Sequence, residues 1–132
     1  MRIEYKAQVD ELNRFLSDLE SELEKVEAPM KVVATLDVAA EEIFVNIAHY
    51  AYPGKEGMMW VDIDAKEGCC TIVFKDNGIE FNPLLREDPD ITVPAEERQI
   101  GGLGIYMVKK TMDDVSYEFK DESNIFSMTK RW

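Results

Sequence analysis

Only two cysteines occur in the 132 residues, and they are adjacent, Cys69 and Cys70. Neighbours in an extended strand point to opposite faces, so the pair makes neither a framework disulfide nor a CxxC metal clip. A reducing compartment, the cytoplasm, is the expectation. The single histidine, His49, has no second histidine with which to share a metal, and it reads as a core or edge residue of a helix. Basic residues are also scarce: 15 Lys+Arg against 27 Asp+Glu leave a net charge of −12. Phosphate backbones and anionic membrane surfaces both attract Lys/Arg stripes, so neither nucleic acid nor a membrane is an expected partner. No apolar run approaches the roughly 20 residues of a membrane span. The charged start lacks a signal-peptide core.

What is present is the composition of a soluble globular protein, 45% apolar and 32% charged, expected to form one domain over 1–132. Residues 1–6 read as a short strand. Val9, Leu12, Leu16, Leu19, Leu23 and Val26 recur at spacings of three and four, predicting an amphipathic helix over about 9–27. Pro29 separates it from a second helix over about 30–51, which Pro53-Gly54 ends. Met59, Val61, Ile63 and Ala65 alternate with Trp60, Asp62 and Asp64, the pattern of a strand with one polar face. Lys66-Glu67-Gly68 turns into a second strand, Cys69–Lys75. Residues 77–101 lack periodicity and hold three of the five prolines, and a loop of such length is usually functional. A helix over about 102–112 follows. Two alternating strands close the chain, with Asp121–Asn124 as their turn. Met58, Met59, Met107 and Met112 read as core filler. The order β-α-α-β-β-loop-α-β-β predicts an α+β fold. It is a two-layer sandwich whose mixed, mostly antiparallel sheet is covered on one face by helices.

Three blocks carry chemistry. Glu42 and Asn46 stand one helical turn apart on the same side. An amide oxygen suits Mg²⁺, a hard cation that keeps phosphates and waters as its other ligands. The carboxylate can polarise a hydroxyl or a water for attack on a terminal phosphate. Glu41 points some 100° away and has no assigned role. Asp76-Asn77-Gly78 ends an apolar strand. Asn-Gly is the usual hairpin signal, yet an irregular segment follows it. A carboxylate there can accept the exocyclic amine of adenine, with Gly78 letting the backbone come close. Finally, Gly101-Gly102-Leu103-Gly104 opens a helix, where backbone N–H groups and the helix dipole favour phosphate. The surroundings fit neither a Rossmann fingerprint nor a Walker loop.

In this order the blocks resemble the GHKL family of ATP-binding domains, and within it the small stand-alone anti-sigma-factor serine/threonine kinases. "EEIFVNIAHYAY" (41–52) is similar to that branch's N box, "DNGIEFNP" (76–83) to its first glycine box and "ERQIGGLGIYMV" (97–108) to its second. The resemblance implies a GHKL-type domain that binds Mg–ATP. By position, Asn46 would hold Mg²⁺, Glu42 would be the catalytic base, and Asp76 with Gly78 would take adenine. Gly101, Gly102, Leu103 and Gly104 would take phosphate, with Arg98 as a further contact, and 82–101 would form the ATP lid. Tyr50 stands where the family often has a histidine, with His49 displaced by one. The implied activity is phosphorylation of a serine or threonine on a STAS-type anti-sigma antagonist, a STAS-domain anti-anti-sigma protein. A sigma factor would be the second, sequestered partner, and members of the branch are commonly homodimers. The alternative is a non-catalytic regulator in which nucleotide gates capture of a protein partner.

Overall fold

The computed structural model describes residues 1–85 and 102–132. Among the described residues eight elements follow one another: β1 (Arg2–Lys6), α1 (Leu12–Lys25), α2 (Met30–Tyr50), β2 (Met58–Lys66), β3 (Cys69–Asp76), α3 (Gly102–Thr111), β4 (Asp114–Lys120) and β5 (Ser123–Arg131). Single 3-10 turns at Val9–Glu11 and Pro83–Leu85 supplement them. The expected order holds, with α1 starting three residues later than its apolar stripe because Val9–Glu11 winds more tightly.

The helix ends have local causes. The Glu11 carboxylate accepts the Lys6 backbone N–H at 3.1 Å and binds Arg14 at 2.7 Å, which ties β1 to α1. After Lys25 the chain turns through Glu27 at φ 55°, and the Ala28 N–H bonds the Leu23 carbonyl at 3.1 Å. A left-handed residue just past a helix gives its last carbonyls such a donor. Pro29, which lacks an N–H, then stands at the N-cap of α2.

The sheet runs β1-β2-β3-β5-β4, and every pairing among the described strands is antiparallel, so it is not the mixed sheet expected. Period-two alternation sends Met59, Val61, Ile63, Cys70, Ile72, Phe74, Phe126 and Met128 to one face, where they are buried against the helices. Asp62 and Asp64 face the other way, exposed. Four aromatic rings centre the core. Phe15 stacks on Phe44 with centroids 5.0 Å apart, and Tyr5 and Phe74 meet Phe15 edge-on.

Cys70 is buried and Cys69 half-buried, both as free thiols. Burial pushes the Cys70 thiol up to about 12, which leaves it unreactive at neutral pH. Met59 and Met112 are core residues, but Met107 is 41% exposed and is not core filler. It lies one residue from the buried Val108, on the outward side of α3. His49 is an exposed helix-end residue, edge-on to Tyr50. Among the described residues no helix is long and apolar enough to cross a membrane.

Candidate functional site

The first pair sits as its spacing predicts. On α2, the Asn46 amide nitrogen donates to the Glu42 carboxylate at 3.2 Å. Ile43 and Ile47, on the same helix, are buried and fix its rotation against the sheet. Because its nitrogen is committed to Glu42, Asn46 offers its amide oxygen to any cation.

Asp76 lies at the end of β3 and is only 4% exposed. One of its oxygens accepts both the Gly78 N–H at 2.9 Å and the Asn124 side-chain amide at 3.0 Å. Burial pushes its pKa upward, and these two donors pull it back. The second oxygen carries neither of these bonds. Gly78 has a close neighbour within the chain itself. A Cβ there would lie 2.2 Å from the Ala51 carbonyl oxygen at the end of α2. The next residue, Ile79, donates its N–H to the same carbonyl at 2.9 Å. Glycine at 78 therefore docks the loop onto the helix.

Asn46 and Asp76 line one narrow, open-sided cavity, whose walls include Ile43, Ile47, Phe74, Ile79 and Phe126. It is an apolar slot with one buried carboxylate at its side, suited to a flat heteroaromatic base bearing an amine. Glu42 and Gly104 line the adjoining groove between α2 and α3. The Glu42–Asn46 hydrogen bond is thus the seam between slot and groove. Gly102 begins α3, followed by Leu103. Arg98 and Gly101, with most of the expected lid over 82–101, lie outside the described residues.

Sequence reasoning missed three residues here. Asn124, expected in a turn, is in β5 directly opposite Asp76. The turn is only Asp121-Glu122, both at positive φ (53° and 60°), the geometry of a two-residue hairpin loop. Besides holding Asp76, the Asn124 amide nitrogen donates to the Ile79 carbonyl at 2.8 Å. Its oxygen accepts the Phe81 N–H at 3.1 Å and the Tyr117 hydroxyl at 2.5 Å. Tyr52 supports the loop from the other side: its hydroxyl donates to the Met58 carbonyl at 2.6 Å and accepts the Asn77 N–H at 2.8 Å. The signal for Asn124 was a two-residue count of the turn; for Tyr52 and Tyr117 the sequence holds none.

Comparison with known proteins bears on the family. The model of the family described as "Histidine kinase-like ATPase domain" matches residues 5–130. The serine-protein kinase RsbW of Bacillus thuringiensis is 31% identical over 102 residues, 74% of this chain and 63% of that protein. RsbW of Listeria monocytogenes is 30% identical over 105 residues, 76% of this chain and 66% of that protein. The match thus spans a little under two thirds of the length of these curated relatives. With a helix-covered antiparallel sheet, the motifs in order and a match over nearly its whole length, the chain belongs to the histidine kinase-like (GHKL) ATPase family.

Proposed function

We propose that the chain is a single Mg–ATP-binding domain that transfers the γ-phosphate to a serine or threonine of a protein partner. The observation that carries this reading is the shared cavity. Asp76 and Asn46, from different elements, line one apolar slot, and Asn46 is hydrogen-bonded to Glu42 at its edge. In this reading the second oxygen of Asp76 accepts the exocyclic amine of adenine, in the loop that Gly78 docks. Asn46 gives its amide oxygen to Mg²⁺. Among the described residues no three His, Cys, Asp or Glu side chains converge on a metal, so the ion would draw most of its oxygens from phosphate and water. Bound there, Mg²⁺ would neutralise phosphate charge. Backbone N–H groups of Gly101, Gly102, Leu103 and Gly104 take the phosphates, with Arg98 as a further contact.

Glu42 is the base. It takes the proton of the acceptor hydroxyl as that oxygen bonds to the γ-phosphorus and ADP leaves. The relatives' name, serine-protein kinase, supports a serine acceptor. The proposed substrate is a STAS-domain anti-anti-sigma protein, with a sigma factor as the sequestered partner, a homodimeric kinase and a cytoplasmic setting.

Calorimetric titration with ATP tests the site, with and without Mg²⁺, on the wild type and on Asp76→Asn. Binding should weaken without Mg²⁺ and collapse in the variant, and absence of binding at millimolar ATP would end the reading. Labelled phosphate should then pass from ATP to a STAS-domain protein, with Glu42→Ala losing transfer but keeping nucleotide affinity. Binding without any ATP cleavage or partner modification would instead indicate the nucleotide-gated, non-catalytic regulator.

A further inference from the structure

Glycine is the poorest helix former after proline, yet Gly104 is the third residue of α3. Its φ lies outside the left-handed region, so the backbone there does not itself require glycine. The space beside it does. A Cβ on Gly104 would lie 2.1 Å from the Glu42 carboxyl carbon and 2.3 Å from each carboxylate oxygen. The carboxylate therefore fills the volume that a side chain at 104 would occupy. Asn46 holds the same carboxylate through its amide nitrogen at 3.2 Å. The first turn of α3, whose N–H groups have no partner within the helix, favours negative charge.

We propose that Gly104 is a positioning residue whose missing side chain is the seat of the Glu42 carboxylate. The seat sets which way Glu42 is directed. It gives Gly104 a task separate from phosphate binding, and it rests on Glu42 being the base of the proposed reaction. Any side chain at 104 expels the carboxylate from between Asn46 and α3, while the N–H groups of the turn stay available to phosphate.

A double-mutant cycle tests this without depending on activity. Urea midpoints are measured for the wild type, Gly104→Ala, Glu42→Ala and the double variant. Alanine is the better helix former, so Gly104→Ala should raise the midpoint in the Glu42→Ala background, where the space is vacant, and raise it less or lower it in the wild type, where the carboxylate must first leave. Equal shifts in both backgrounds would overturn the proposal. Should Gly104→Ala fail to fold alone, a folded double variant reads the same coupling, and failure of both would overturn it. Kinetics then separate positioning from binding. ADP formation from Mg–ATP by Gly104→Ala should fall at least tenfold in kcat with KM within about twofold. A collapse of ATP affinity that is equal with and without Glu42 would return Gly104 to phosphate binding alone. If the wild type binds no ATP, the proposed function fails, while the urea cycle still decides the seat.

Discussion

Replacing Asn124 with alanine probes the part of the site that no motif announced. Asn124 is 7% exposed, and its side chain makes four hydrogen bonds: to Asp76, the Ile79 carbonyl, the Phe81 N–H and the Tyr117 hydroxyl. Ile79 and Phe81 are 56% and 45% exposed, so water can replace those two bonds at about 0.5 kcal/mol each. Asp76 has no such recourse. A buried carboxylate that loses a charge-assisted donor costs about 1.5–3 kcal/mol. The sum, with little for Tyr117, is about 3 kcal/mol, a large part of the roughly 5–15 kcal/mol that holds a domain together. Urea unfolding of the nucleotide-free protein measures it. A second consequence is specific to the site. The Asn124 amide is the leading influence pulling down the burial-raised pKa of Asp76, so its loss moves that pKa further up. ATP affinity should therefore fail on acidification at a higher pH in the variant than in the wild type, as the acceptor oxygen becomes protonated. Unfolding within about 0.5 kcal/mol of wild type, together with an unmoved pH midpoint for binding, would refute the assignment.

Gly78→Ala would drive a Cβ to 2.2 Å from the Ala51 carbonyl oxygen; overpacking costs about 1–3 kcal/mol, and calorimetry should show weaker ATP binding because the loop leaves α2. Phe15→Ala empties a fully buried position stacked on Phe44 at 5.0 Å and should cost about 3–5 kcal/mol in urea unfolding. Asp37 on α2 faces Glu20 of α1, with Glu41 adjacent, and one of its oxygens is buried without a partner; desolvation first, then Glu20, pushes its pKa from 3.8 to about 7. The folded chain thus holds a proton that the unfolded chain releases, so stability is full below about pH 4 and is lost as pH rises through about 7. Because Asp37 is only half-buried and water screens it, Asp37→Asn should gain about 1 kcal/mol at pH 8, read as a smaller fall in urea midpoint between pH 5 and 8 than in the wild type.

Much of the fold is legible in local pattern because local pattern is what periodicity records. The three- and four-residue spacing in α1 and the alternation in β2 each describe one element's exposure to one core. The pairing of Glu42 with Asn46 is likewise local, one turn of one helix, and it is realised as a hydrogen bond. Net charge and the two adjacent cysteines are properties of composition, which no folding changes. Contacts between distant segments carry no such signature. Asn124 meets Asp76 because a two-residue turn sets the register of β5 against β4, while the long β3–β5 ladder aligns the two strand ends. Counting Asn124 into the turn hid it, since a slip of register changes what each side chain faces. Gly78 and Gly104 show the same division. Composition marks both as places of close approach, but only the packed chain decides what approaches. For Gly78 that neighbour is the Ala51 carbonyl, and for Gly104 it is the Glu42 carboxylate. A missing side chain is visible in one dimension, whereas the group that fills its space is chosen in three.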